Sequence, residues 1–323
     1  MIHTLVESGK YYFLSRPRRF GKSLLLSTIK EIVSGSKELF KGLWIEGQWN
    51  WEQKYPVIHI SFASIGVRTL GLTQAIFESL AENAERLGVS LEKTTIDQQF
   101  KELIRKVSAL GKVVVLIDEY DKPIIDNLDD IPLAEQNRAV FKSFYSVLKD
   151  SDEYIRLLLI TGVSKFTKVS IFSDLNNLND ITLHPKYATL AGITQQELES
   201  DFSMEIKEMQ KSVPAILEEI REWYNGYSWH DGTQTVYNPF SLLLLFQTGY
   251  LTIKSYDPKS QTYELDYPNK EVESSLLDAL LSAYRDVFPS DSMALTGDLG
   301  AALQANDIPR VMELLNALIS TSI

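Results

Sequence analysis

Five aliphatic residues in a row, Val113-Val114-Val115-Leu116-Ile117, run straight into the acid pair Asp118-Glu119. A run with no polar position reads as a central parallel strand whose two faces are both covered. Three other short apolar segments repeat the theme: Tyr11 to Leu14, Pro56 to Phe62 and Ile155 to Gly162. Between them lie helical stripes. Leu25, Ile29, Ile32 and Val33 share one face, as do Leu72, Ile76, Leu80 and Leu87. Phe100, Leu103, Ile104 and Val107 form a third stripe, and Val140, Phe144, Val147 and Leu148 a fourth within a helix expected over Glu135 to Leu148. Strands alternating with helices specify an α/β, doubly wound, mainly parallel sheet with right-handed crossovers. A fifth strand is expected at Tyr187-Ala188-Thr189-Leu190.

The first strand is followed by Arg16-Pro17-Arg18-Arg19-Phe20-Gly21-Lys22-Ser23, and then by the helix that begins Leu24-Leu25-Leu26. Strand, short loop, Gly-Lys-Ser and helix is the order a phosphate-binding loop requires. Where a strand hands over to a helix, several backbone N–H groups lack intrahelical partners, and the helix dipole adds positive charge at the same point. The cradle would be the backbone from Arg18 and Arg19 through Phe20, Gly21, Lys22, Ser23 and Leu24. Lys22 would reach the outer phosphates and the Ser23 hydroxyl would ligate Mg²⁺. The full G-x-x-x-x-G-K-[ST] pattern has glycine where this chain has Arg16, and Pro17 lacks an N–H donor.

The acid pair supplies the complementary half, because ligand-binding residues of an α/β sheet lie at the carboxyl ends of its strands. Asp118 can hold Mg²⁺ directly or through water, and Glu119 can orient and deprotonate the attacking water. Such a pair favours hydrolysis over transfer to a small-molecule acceptor. Thr161 and Ser164, where the next strand ends, are placed to touch the γ-phosphate or the water, and Lys165 could add charge there. Asp121 and Lys122 are read as turn residues. Arg18 and Arg19 are candidate arginine fingers in cis, Arg138 and Arg156 weaker ones, and a neighbouring subunit is another source.

Composition narrows the alternatives. The chain has 323 residues, no cysteine and four histidines without H-x-x-H or H-E-x-x-H spacing, which excludes disulfides, thiolate zinc sites and a cysteine nucleophile and argues against a histidine metal centre. A formal net charge of −11 argues against a broad nucleic-acid-binding face, so direct binding of DNA or RNA is not expected. With no signal-peptide pattern and no apolar stretch near the ~20 residues that span a bilayer, the expected location is cytoplasmic, without membrane contact.

Beyond about Gly192 the character changes, dividing the chain into residues 1–192 and a C-terminal accessory region, 193–323. Thr194 to Leu217 reads as charged helix, and Trp223 to Trp229 as a turn with aromatic flanks. Asn238-Pro239 opens an apolar helix with Phe240 to Phe246 as its body, Thr252 to Leu265 reads as a hairpin, and the stretch from Glu271 as amphipathic helix.

Several strings together resemble the AAA-ATPase-like bacterial family: Tyr11 to Ser23, Leu116 to Asp121, Thr161 to Phe166, Trp223 to Tyr227 and Tyr237 to Ser241. The likeness runs over nearly the whole chain, and an arginine-rich loop is the usual form in that family. It implies a P-loop NTPase core of the additional-strand type, with Walker A at Gly21-Lys22-Ser23 and Walker B at Asp118-Glu119. The Asp-Glu strand would then be separated from the phosphate-loop strand by one other, and Mg-ATP would be the ligand. Members usually carry a short segment before the equivalent of Ile2, and many carry a C-terminal PD-(D/E)xK nuclease domain, which would begin about where this chain stops. The one acid-x-Lys candidate, Asp201 with Glu205-Ile206-Lys207, falls in a charged helical stretch and reads as a solvated face, so nuclease activity is not expected. Two readings stay open: an ATPase whose hydrolysis drives a conformational change, and a nucleotide-gated module that switches a protein partner or nuclease domain with little turnover.

Overall fold

A computed structural model describes residues 1–164, 171–172, 175, 177–211, 214–239, 252–257, 262–266 and 268–272. The order is α1 (Ile2–Ser8), β1 (Tyr11–Ser15), α2 (Lys22–Ser34), β2 (Val57–Ser61), α3 (Val67–Leu70), α4 (Leu72–Arg86), α5 (Ile96–Val107) and β3 (Val113–Asp118). There follow α6 (Lys122–Ile125), α7 (Ile131–Asp150), β4 (Ile155–Gly162), β5 (Asn179–Asp180), α8 (Gln195–Asp201), α9 (Ser203–Gln210) and α10 (Ile216–Tyr224). Two antiparallel pairs complete the described chain, β6 (Tyr227–Ser228) with β7 (Thr235–Val236) and β8 (Thr252–Asp257) with β9 (Thr262–Asp266).

Strands β1 to β5 form one parallel sheet in the order β2-β3-β4-β1-β5. β4 lies between β1 and β3, so the loop strand and the Asp-Glu strand are separated by one other, as the family resemblance implies. Every residue of β1, β3 and all but one of β4 is buried, the signature of strands covered on both faces. The pleat sorts their side chains into two cores. Val113, Val115 and Ile117 pack with α4, α5 and α7 on one face, while Val114 and Leu116 pack with Leu25, Leu26, Ile29 and Val33 of α2 on the other. Asp118 and Thr161 continue the α2-facing alternation, which aims both at the start of α2.

The open edge of β2 is closed by side chains of α4. The Asn83 amide accepts from the His59 N–H at 3.0 Å and donates to its carbonyl at 2.9 Å, as a neighbouring strand would. Arg86 donates to the Val57 carbonyl at 2.7 Å. An edge satisfied in this way offers less of a template to another chain.

Two expectations change. The fifth strand is Asn179–Asp180, paired with Tyr12 and Phe13, rather than Tyr187 to Leu190. Residues 185–187 form a 3₁₀ turn, and Tyr187 and Leu190 are apolar because they join the core on the α2 side. The charged helix expected over Thr194 to Leu217 is instead α8, α9 and the start of α10. It opens with a capping box between Thr194 and Glu197 and first stops at Phe202. The hairpin expected over Thr252 to Leu265 forms, pairing Thr252 with Asp266 and Asp257 with Thr262. The apolar helix expected over 240–246 and the amphipathic stretch from 273 onward lie outside the described residues.

Candidate functional site

The loop from Arg16 to Gly21 leaves β1 and enters α2 through two left-handed residues, Arg19 (φ 67°) and Gly21 (φ 81°). Gly21 caps the helix, and a Cβ built there would meet nothing within 4 Å, so the loop is open at that point. A cleft of about 300 Å³ lies against it, lined by Arg19, Gly21, Lys22, Ser23, Leu24, Glu119 and Pro239. Leu24, 70% exposed on the first turn of α2, and Pro239 give the cleft an apolar flank.

Three remote segments meet beside it, behind Ser23. The Ser23 hydroxyl donates to Asp118 Oδ2 at 2.5 Å, and the Thr161 hydroxyl donates to Asp118 Oδ1 at 2.5 Å. The Glu119 N–H also donates to Asp118 Oδ1, at 3.0 Å. Asp118 and Thr161 are buried, which strengthens these contacts to a carboxylate. Glu119 sits at φ 49°, a left-handed backbone that costs a non-glycine residue energy and is found where surroundings impose it.

Lys22 is buried, and its ammonium donates to the Arg16 carbonyl at 2.9 Å and the Pro17 carbonyl at 2.8 Å. Burial holds its pKa below the ordinary lysine value, against the opposing pull of Asp118, Glu119 and Asp121, while Arg18 adds to the lowering. Arg18 and Arg19 are exposed on the loop. The Phe20 side chain turns away from the cleft and is buried against Tyr227 and Trp229.

The residues expected at the site are not all gathered there. Arg138 is exposed on α7 beside a separate cleft with Ile124 and Leu128. Arg156 sits at the opposite end of β4, 3.9 Å from Glu7. Lys165 lies outside the described residues. Ser164 contributes backbone: its carbonyl accepts from the Tyr120 hydroxyl at 3.0 Å.

Asp121, read from sequence as a turn residue, does more. Its Oδ2 accepts the N–H groups of Val163 at 2.9 Å and Ser164 at 2.5 Å, fastening the segment after Thr161 to the one after Glu119. Burial pushes its carboxyl above the ordinary aspartate value, although those N–H groups and Lys22 pull the other way. Arg16 was visible only as a replaced glycine, yet its guanidinium is buried beside the loop.

The chain matches, over residues 1–172, the family model described as "Predicted AAA-ATPase". It belongs to the AAA-ATPase-like family. A relative from Azotobacter chroococcum mcd 1, described as "Uncharacterized protein in vnfD 5'region", is 38% identical over 379 residues, covering 98% of this chain and 72% of the relative. No solved structure gives a significant match. The family match spans α1 through β4, so it includes Lys22, Ser23, Asp118, Glu119 and Thr161. The parallel order β2-β3-β4-β1-β5 is that of a P-loop NTPase core. Among the described residues no helix is long and apolar enough to cross a membrane.

The donor set beside the cleft suits Mg²⁺. Among the described residues no group of three or more His, Cys, Asp or Glu side chains could hold a metal ion. Mg²⁺ does not ask for one: it takes one or two protein oxygens and completes its octahedron with water and phosphate. The Ser23 hydroxyl and the Asp118 carboxylate, in contact at 2.5 Å, are such oxygens.

Proposed function

We propose that this AAA-ATPase-like chain binds Mg-ATP in the cleft beside Gly21 and hydrolyses it. The observation that carries the reading is the convergence of Ser23 and Thr161 on Asp118, each at 2.5 Å, beside a cleft that Ser23, Lys22 and Glu119 line. The backbone of Arg18 through Leu24 cradles the phosphates, and Lys22, held by the Arg16 and Pro17 carbonyls, meets their charge with its third N–H donor. Ser23 and Asp118 hold Mg²⁺, which neutralises phosphate charge when bound. Glu119 accepts the proton of the attacking water, and Thr161 orients Asp118. Because phosphoryl transfer asks mainly for positioning and charge stabilisation, this set needs no covalent intermediate.

The test is steady-state ATP hydrolysis by wild type beside Glu119→Gln. The expected result is turnover in wild type and its loss in the variant with nucleotide affinity kept. Equal rates in the two proteins would remove Glu119 from the mechanism.

One observation favours a second reading, in which occupancy itself switches contact with a protein partner or nuclease domain. Phe20 of the loop is buried in a cluster with Tyr227, Val236 and Val272, so the loop touches the chain beyond residue 192 directly. Tight binding with negligible wild-type turnover would select this reading over hydrolysis.

A further inference from the structure

Arg16 stands where the phosphate-loop pattern has glycine, and its surroundings give it work that glycine could not do. The side chain is 1% exposed. Nη1 donates to the Ser15 carbonyl at 2.9 Å and to the Thr182 carbonyl at 2.7 Å, and Nη2 donates to the Tyr187 carbonyl at 3.1 Å. The guanidinium carbon lies 4.5 Å from the centre of the Trp229 ring. Burial of this cation is costly and lowers its pKa to about 9, with Asp180 opposing the shift. A ring face offsets part of that cost, and indole offers the strongest one. The guanidinium lies over the ring, so it is the face of the indole that meets Arg16.

Phe20, at the other end of the loop, rests on the same segment, 4.8 Å from Tyr227 and 5.4 Å from Trp229 between ring centres. The loop is thus held at both ends by residues 227–229. Between the two anchors, the Arg16 and Pro17 carbonyls receive the Lys22 ammonium.

We propose that Arg16 is a positioning residue: stacked on the Trp229 indole, its guanidinium fixes the loop carbonyls that receive Lys22, so that the segment carrying Trp229 sets how firmly the loop takes phosphates. The proposal rests on the nucleotide-binding reading above and adds to it the route by which the C-terminal region reaches the site.

The test compares Trp229→Leu with Trp229→Phe in the full chain, since leucine keeps apolar packing and only phenylalanine keeps a ring face. Mg-ATP affinity is measured alongside the rate of trypsin cleavage after the exposed Arg18 and Arg19, with cleavage after Arg138 as the internal reference. Trp229→Leu is expected to weaken Mg-ATP about ten- to thirtyfold and to speed cleavage after Arg18 and Arg19 without speeding it after Arg138. Trp229→Phe is expected to stay within about threefold of wild type on both readouts. The proposal is overturned if Trp229→Leu matches wild type on both, or if phenylalanine is as damaging as leucine, which would make residue 229 a packing position. Arg16→Gly, which completes the glycine pattern, should bind Mg-ATP more weakly than wild type; equal or tighter binding also overturns it. If wild type takes no nucleotide but Trp229→Leu still opens the loop selectively to trypsin, the nucleotide reading fails while the stack stands as the holder of the loop.

Discussion

Gly162, the last residue of β4, has no room for a side chain. A Cβ built there would lie 2.6 Å from Tyr120 Cδ1 and Cε1 and 2.8 Å from Asp121 Oδ1, whereas ordinary contact begins at 3.4 Å. In Gly162→Ala the Tyr120 ring must therefore move by 3.4 − 2.6 = 0.8 Å. It is fully buried, edge-on to Phe13 at 5.5 Å and tilted against Phe172 at 5.1 Å, so it cannot move without disturbing the core. Overpacking of this kind costs about 1–3 kcal/mol. Displacing Asp121 would take the charged acceptor from the Val163 and Ser164 N–H groups, about 1.5–3 kcal/mol more. The expected loss is thus about 2.5–6 kcal/mol in urea unfolding followed by circular dichroism. Gly47→Ala is the control, because a Cβ there meets nothing within 4 Å, and it should stay within about 0.5 kcal/mol of wild type. A Gly162→Ala protein as stable as Gly47→Ala would refute the tight packing inferred around the exit of β4.

Thr161→Val keeps the shape but removes the donor to Asp118. It should cost about 1.5–3 kcal/mol in unfolding free energy and lower ATP turnover; an unchanged rate would show that the hydroxyl does not serve the site. Asn83→Leu strips both His59 backbone groups of their partner at the sheet edge. A loss of about 2–4 kcal/mol is expected, with concentration-dependent self-association by light scattering; a stable, monodisperse variant would count against the edge-capping role. Asp121 has a folded pKa raised above 3.8, so below 3.8 it contributes stability that is lost as pH rises through the folded value. The advantage of wild type over Asp121→Asn should therefore grow as pH falls towards 3.8, read from urea midpoints at successive pH values. A pH-independent difference would contradict the raised pKa.

The four main strands were legible because their apolar runs, such as Val113 to Ile117, have no polar face to misassign. Asp118 and Thr161 were picked out as candidates because each lies at or next to the carboxyl end of an apolar run; that one strand separates the Asp-Glu strand from the loop strand came from the family resemblance. β5 was not legible, since Asn179 and Asp180 carry no strand signal and pair only because β1 offers an edge. Tyr187 to Leu190 misled because burial alone, without alternation or length, suits a turn packed on a core as well as a strand. Asp121 and Arg16 act on backbone groups distant in sequence, at Val163, Ser164, Thr182 and Tyr187. No local pattern announces such partners. The aromatic string around Trp229 was a signal without an object until Phe20 and Arg16 were found against it.

The central claim is that the Gly-Lys-Ser loop and the Asp-Glu strand hold one Mg-ATP between them. A double-mutant cycle of Mg-ATP affinity across Ser23→Ala and Asp118→Asn tests it most directly. If both side chains hold the same ion, each single change weakens binding and the double variant is little worse than the worse single, a coupling of about 1 kcal/mol or more. Strictly additive losses, or a wild-type protein to which Mg-ATP does not bind, would contradict it.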